Sequence, residues 1–224
     1  MDLQALWLTL RLALGTTAIL LLVALPLAWW IASGRGPLRG LVQALVALPL
    51  VLPPTVLGFY LLVALGPLTA PGRLLIHLLG HPLAFSFAGL LIGSCIYSLP
   101  FAVQPMVAGF SAIDPGYLEA SAALGASPLR TFLSVALPMA RASLLTSAVL
   151  TFTHTVGEFG VVLMLGGNIP GATRTLSISL YDQVQDFNYA AANRTALVLV
   201  AISLAALAFI YTLRGLSNRS GDLV

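Results

Sequence analysis

Residues 12–34 read Leu-Ala-Leu-Gly-Thr-Thr-Ala-Ile-Leu-Leu-Leu-Val-Ala-Leu-Pro-Leu-Ala-Trp-Trp-Ile-Ala-Ser-Gly, 23 positions without a charge between Arg11 and Arg35. About 20 such residues cross the hydrocarbon core of a bilayer as a helix. The run is too long for the apolar region of a signal peptide and follows Asp2 rather than a basic cluster, so it reads as a retained helix. Working outward, Arg39 to Arg73 encloses 33 uncharged residues, Arg73 to Asp114 encloses 40 and Arg194 to Arg214 encloses 19. These intervals predict membrane helices at roughly 8–32, 41–66, 84–110, 142–165 and 195–213. The expected fold is all-α and polytopic: about five transmembrane helices in a single transmembrane domain over 1–224, with a polar loop at 111–141.

Composition agrees. Of 224 residues, 59% are hydrophobic and 8% charged, with mean hydropathy +1.00; soluble domains carry roughly 25% charge. A chain of this size keeps too much exposed area to hide that apolar surface from water. A soluble enzyme, a disordered chain and a disulfide scaffold are excluded. All ten basic residues are arginine and there is no lysine. They are scattered singly, so the net charge of +3 forms no phosphate-tracking stripe and gives no reason to expect nucleic acid. The single cysteine, Cys95, allows neither an intrachain disulfide nor a Cys-based zinc cage. Arg35, Arg39, Arg130, Arg141, Arg214 and Arg219 fall on one side of the five-helix arrangement. Arg73, Arg174 and Arg194 fall on the other, with Arg11 near the outer end of the first helix. The richer side is cytoplasmic by the positive-inside rule, which predicts the N-terminus outside and the C-terminus inside. No internal repeat is visible, which weighs against an inverted-repeat carrier.

The 111–141 loop has helix grammar. Asp114-Pro115 and Ser127-Pro128 are each an N-cap followed by proline at the first helical position. Gly125 suits the left-handed position that ends a helix. Two short helices follow, about 115–124 and about 128–136. The first carries one charge, Glu119, among Ala120, Ser121, Ala122 and Ala123. Such a helix fits a groove on a partner protein, or it is a connector returning the chain to the membrane.

Glu119-Ala120-Ser121, Gly125 and Leu137-Pro138 resemble the "EAA" loop of ABC importer permeases, with Ser121 where the family has a second alanine. The resemblance implies that Glu119, Ala120, Gly125, Ala126 and Ser127 dock on a cytoplasmic ATPase subunit. Three further stretches are similar to molybdate permease subunits: Leu48-Pro49-Leu50-Val51-Leu52-Pro53-Pro54-Thr55-Val56-Leu57-Gly58, then Gly157-Glu158-Phe159-Gly160, then Gly167-Asn168-Ile169-Pro170-Gly171 with Thr173-Arg174-Thr175. Sulfate permeases share parts of these signatures, and tungstate importers are close in chemistry. The resemblance implies import of an oxyanion, molybdate first, across a bacterial or archaeal cell (inner) membrane. It also implies a homodimer of permease copies, two cytoplasmic ATPase subunits and an extracytoplasmic oxyanion-binding protein. A P-loop needs a lysine, and this chain has none. It is therefore expected to be no enzyme, and nothing in it asks for a cofactor. A stand-alone channel or secondary carrier is the competing class. A membrane hydrolase would have to draw on Ser94 and His154, which share no recognisable spacing.

Pro49, Pro53 and Pro54 disturb the second span. The N–H groups after Pro54, near Thr55 and Val56, either face an oxyanion from the start of a half-helix or belong to a kink that only shapes packing. Ser143, Ser147, Thr151, His154 and Glu158 share one face of the fourth span. Their hydroxyls either line the permeation path or bond between helices. Thr55, Ser147, Thr151 and Glu158 are the candidate pathway or gate residues. An ionised Glu158 in the path repels a dianion, so its expected role is structural or gating, paired with Arg174 or hydrogen-bonded across a dimer. His154 and Glu158 are too few ligands for a metal site. Gly89 and Gly93 in the third span suit close helix contact, and the 166–194 segment is rich in turn formers.

Overall fold

The computed structural model describes residues 2–34 and 36–221, with side chains to Thr212. Arg35 and the side chains of Arg214 and Arg219, used above for orientation, lie outside the described residues. Asp2 accepts a hydrogen bond from the Ala5 N–H at 2.9 Å and starts α1, Leu3–Ala32. One face of α1 is buried and carries Ala5, Ala13, Ala24 and Ala28 between Leu8, Leu12, Leu20 and Ile31. Lipid tails are as apolar as leucine, so helices associate in the membrane where small residues allow close approach. That face packs on α5, Phe87–Ser111, and α9, Arg141–Val156. The three helices enclose the main core, which continues through Val103, Met106 and Phe110. Trp29, Phe110 and Phe132 close one end of it, with ring centroids 5.3 Å apart from Trp29 to each phenylalanine.

Two predicted spans are broken. The 41–66 span is α2, Pro37–Val51, and α3, Pro54–Leu65, bent by 112°. Leu52 and Pro53 between them are extended, with ψ of 136° and 135°. Proline drives the residue before it out of the helical region, and Pro53 and Pro54 offer no N–H to bridge the gap. The 142–165 span is α9 followed by α10, Gly160–Gly166, with Gly157, Glu158 and Phe159 between. Two helices lie outside both the predicted spans and the 111–141 loop: α4, Ala70–Leu79, capped by Thr69, and α11, Leu176–Gln185, capped by Thr175. The last helix, α12, runs Tyr189–Gly221, longer than the 195–213 expected.

The architecture is all-α, with no strand among the described residues. Three helices (α1, α5 and α12) are each long and apolar enough to cross a membrane, and there are up to five spans when α2 with α3, and the Pro128–Met139 segment with α9 (bent by 71°), are each taken as one. The third span keeps its helix through Pro100 and Pro105. Its Gly93 packs within the subunit, where an added Cβ would meet Leu165 of α10 at 2.7 Å.

Candidate functional site

Both breaks open on one cavity. It measures about 500 Å³ and is lined by Pro54 and Thr55 at the start of α3, Tyr97 of α5, Thr153 and His154 of α9, and Gly157 to Gly160 at the second break. The two half-helices cross there with a glycine on one side of each close contact. A Cβ on Gly160 would lie 2.7 Å from Pro54 Cβ, and one on Gly58 would lie 2.8 Å from Met164 Cβ. Irregular backbone at membrane depth is stable where protein or a water-filled cavity covers it, and each break is covered by the other.

The donors of the cavity can be counted. Val56 and Leu57 N–H both bond Pro53 O, which leaves the Thr55 N–H as the free donor of the first turn of α3. The Thr55 hydroxyl is also without a partner among the described residues, and the residue is exposed. Thr153 is committed, because its hydroxyl donates to Val149 O at 2.8 Å. His154 sits in a directed chain. Thr155 Oγ1 donates to Thr151 O at 2.9 Å. Its one proton is then used, and it accepts from Ser98 Oγ at 3.0 Å. Ser98 in turn accepts from His154 Nδ1 at 2.9 Å. The imidazole is stacked on Phe101, with centroids 3.9 Å apart, and tilts against Tyr97 at 4.7 Å. A neutral ring therefore keeps its proton on Nδ1 and leaves Nε2 as an acceptor. Among the described residues, the donors lining the cavity without a partner are the Thr55 N–H and hydroxyl, the Tyr97 hydroxyl and the N–H groups of Phe159 and Gly160 at the start of α10.

Glu158 is 3% exposed, and neither carboxylate oxygen has a hydrogen-bond partner among the described residues. Ser94 of α5 lies beside it, also unpartnered. The predicted pairing with Arg174 is not formed. Arg174 is held on the surface by Asn168, whose Oδ1 accepts from Nε at 2.6 Å, and by Asp182 at 3.7 Å. The 167–175 turn places its guanidinium next to α11, away from the helix break. Of the four candidate pathway residues, Thr55 and Glu158 meet at the cavity. Ser147 and Thr151 are fully buried at 0% exposure, unpartnered, and do not line it. Tyr97 and Thr153 line it without having been singled out for it. The available signal was their position one helical turn beyond Gly93 and next to His154.

The 111–141 loop lies at the Trp29–Phe110–Phe132 end. Asp114 caps α6, Pro115–Ala123, by accepting from Gly116 N–H at 2.8 Å. The helix ends in a Schellman turn: Gly125 N–H bonds Ala122 O at 2.9 Å, Ala126 N–H bonds Ser121 O at 3.1 Å, and Gly125 has φ +79°. Ser127 caps α7, Pro128–Thr131, and Ser121 Oγ meets Thr131 Oγ1 at 2.9 Å across the turn. The chain then widens into a π-helical turn, Phe132–Ala136, before α8, Leu137–Met139, since Pro138 has no N–H for the ordinary ladder. No residue of α6 is buried. Glu119, Ala120, Gly125 and Ser127 are exposed and Ala126 is half-buried. Tyr117, Leu124 and Leu129 stand out around them at 59%, 88% and 67% exposure.

The family model for "Binding-protein-dependent transport system inner membrane component" matches residues 24–219. The chain belongs to this family. It is 51% identical over 213 residues to the molybdenum transport system permease protein ModB of Azotobacter vinelandii, covering 95% of this chain and 94% of the relative. It is 33% identical to the sulfate transport system permease protein CysT of Salmonella typhimurium, over 86% of this chain and 69% of the relative. The fold is that of a chain in the inward-facing MetNI methionine ABC transporter, with TM-score 0.75 and 19% identity over 95% of this chain and 94% of that one. This family member is a multi-pass inner-membrane transport component. Its broken spans and exposed loop helix belong to a permease architecture without an ATP site of its own.

Proposed function

We propose that the chain is the membrane-spanning subunit of an ATP-driven importer that carries an oxyanion, molybdate first, into the cytoplasm. The observation that carries this reading is the 51% identity to a molybdenum permease over nearly the whole of both chains. The 33% identity to a sulfate permease favours sulfate as the second reading, with tungstate beside molybdate on chemical grounds. Two copies form the pore, and the cavity at the helix breaks lies on its path. Thr55 offers the oxyanion a backbone N–H and a hydroxyl at the positive end of α3. Glu158, in the cavity wall, acts as a gate rather than a ligand, because in its ionised form it repels a dianion. On the opposite side of the chain from α4 and α11, α6 enters a groove of the ATPase subunit through Glu119, Ala120, Gly125, Ala126 and Ser127. The exposed Tyr117, Leu124 and Leu129 provide the apolar contact for that partner. A binding protein delivers the anion from the other face.

The test is reconstitution in vesicles with an ABC ATPase subunit and an oxyanion-binding protein of a molybdate importer. Labelled molybdate accumulates against its gradient only when both partners and ATP are present, and tungstate competes better than sulfate. Uphill uptake by the permease alone, or free leakage through it, would sink the proposal. Preferential competition by sulfate would reassign the ion.

A further inference from the structure

The outward face of α1 repeats along its whole length. Leu3, Trp7, Arg11, Leu14, Ala18, Leu22, Pro26 and Trp30 are all exposed, at the spacing of one helical face. Arg11 is the one charged residue on it. Its guanidinium sits 4.4 Å above the Phe87 ring and has no carboxylate or carbonyl partner among the described residues. The other cations of that end are engaged: Arg73 donates to Leu68 O, Arg174 pairs with Asp182, and Arg194 donates to Ala190 O. At the far end of the same face, Arg39 lies 5.2 Å from the Trp30 ring. Arg11 and Trp30 are about 28 Å apart along the helix at 1.5 Å per residue, close to the roughly 30 Å hydrocarbon thickness. The exposed residues between them are apolar. Arg11 thus stands where one leaflet's phosphates lie.

The surface there is shaped. A cavity of about 520 Å³ opens beside Arg11, lined also by Gln4, Trp7, Ser86 and the two rings Phe85 and Phe87. Phe85 is in the left-handed region at φ +61°, a costly conformation for a bulky residue. It is held by its N–H bond to Leu165 O at 2.9 Å, with its ring against Gly167.

We infer that Arg11 is the headgroup site of a bound phospholipid. The guanidinium, kept over Phe87, takes the phosphodiester of a lipid in the leaflet opposite the 111–141 loop. The indole of Trp7 and the amide of Gln4 are the flanking donors, and the acyl chains run down Leu14, Ala18 and Leu22. A phosphate answers the unpaired charge, and a lipid answers the apolar face that continues from it. A free oxyanion would use the first and leave the second bare. A second copy of this chain would bring the same unpaired cation to the interface. The site is independent of the identity of the transported ion.

Native mass spectrometry of the full chain in neutral detergent tests this. Phosphatidylglycerol and a diglucosyl lipid with the same acyl chains are added at equal concentration. The expected result is selective retention of phosphatidylglycerol. Its apparent affinity falls about five-fold in Arg11→Gln, the contribution of one arginine at an anionic surface, and is retained in Arg11→Lys. Phe87→Leu, which keeps the charge and removes the ring, lowers it about two- to five-fold and serves if Arg11→Gln does not fold. Three results each overturn the inference: equal retention of the sugar lipid, full retention in Arg11→Gln and Phe87→Leu, or displacement of the lipid by millimolar molybdate or sulfate. A copy-to-copy disulfide from Trp7→Cys in a Cys95→Ser background would also overturn it, by assigning the face to an interface.

Discussion

Thr55 and Glu158 face the same cavity with opposite chemistry. Thr55 presents hydrogen-bond donors, and hydrogen bonds to charged groups are the stronger class. Thr55→Val keeps the shape and removes the hydroxyl. In reconstituted uptake it raises KM by about tenfold or more while kcat stays near wild type. Glu158→Gln keeps shape and polarity and removes only the ability to ionise. It lowers kcat by about five-fold or more, the scale of a lost coupling between states, with KM little changed. An unaltered kcat in Glu158→Gln, or an unaltered KM in Thr55→Val, removes that residue from its proposed role. The residue-level reading from sequence was partial for a physical reason. Helical periodicity puts Ser147, Thr151 and Glu158 on one face, but it does not say what covers each turn of that face. Ser147 and Thr151 are completely covered where α9 packs among α1, α5 and α12, and only the end of α9 at the break reaches the cavity. The Arg174 pairing failed because Asn168 and Asp182, closer along the folded turn, take the guanidinium first.

At the scale of elements, the site depends on two half-helices touching through glycine. Gly160→Ala places a methyl group 2.7 Å from Pro54 Cβ. Overpacking of this kind costs about 1–3 kcal/mol. The melting temperature of the detergent-solubilised protein falls by several degrees, at about 2–4 °C per kcal/mol for a chain this long. Gly40→Ala in α2, where an added Cβ meets nothing within 4 Å, is the control, and it leaves the melting temperature unchanged or slightly higher through better helix propensity. Equal melting of the two variants would show that the half-helix contact is loose. The caps of the loop were legible, since Asp114, Gly125 and Ser127 each satisfy backbone groups within a few residues, but the helix expected at 128–136 is a four-residue α7 followed by a π-helical turn. The turn of 112° between α2 and α3 was not legible. Pro53-Pro54 requires a break, but its angle is set by the distant surface of α10. The π-helical turn after α7 likewise arises where a proline-deprived ladder meets the packed ring of Phe132.

For the whole molecule, the arginine count and the structure bear on different questions. The structure places the 111–141 loop at one end of the α1–α5–α9 core and α4 and α11 at the other, without assigning either end to a compartment. Cys95 is the one native thiol, so Cys95→Ser variants carrying a single new cysteine can be labelled in whole cells. Ser127→Cys is expected to react only after the inner membrane is made permeable, and His81→Cys from outside in intact cells. The reverse pattern would place the loop helix out of reach of an ATPase and end the coupling proposal. The sequence by itself determined that this chain lives in a membrane, roughly where its spans fall, and that a capped loop helix projects from them. Those properties follow from apolar runs, charge spacing and local backbone chemistry. Only the tertiary structure decided that two spans are broken, that their breaks meet at one cavity, and which polar side chains reach it. Those outcomes depend on contacts between residues roughly a hundred apart in the chain, such as Pro54 with Gly160, and no local pattern encodes how closely two distant backbones approach.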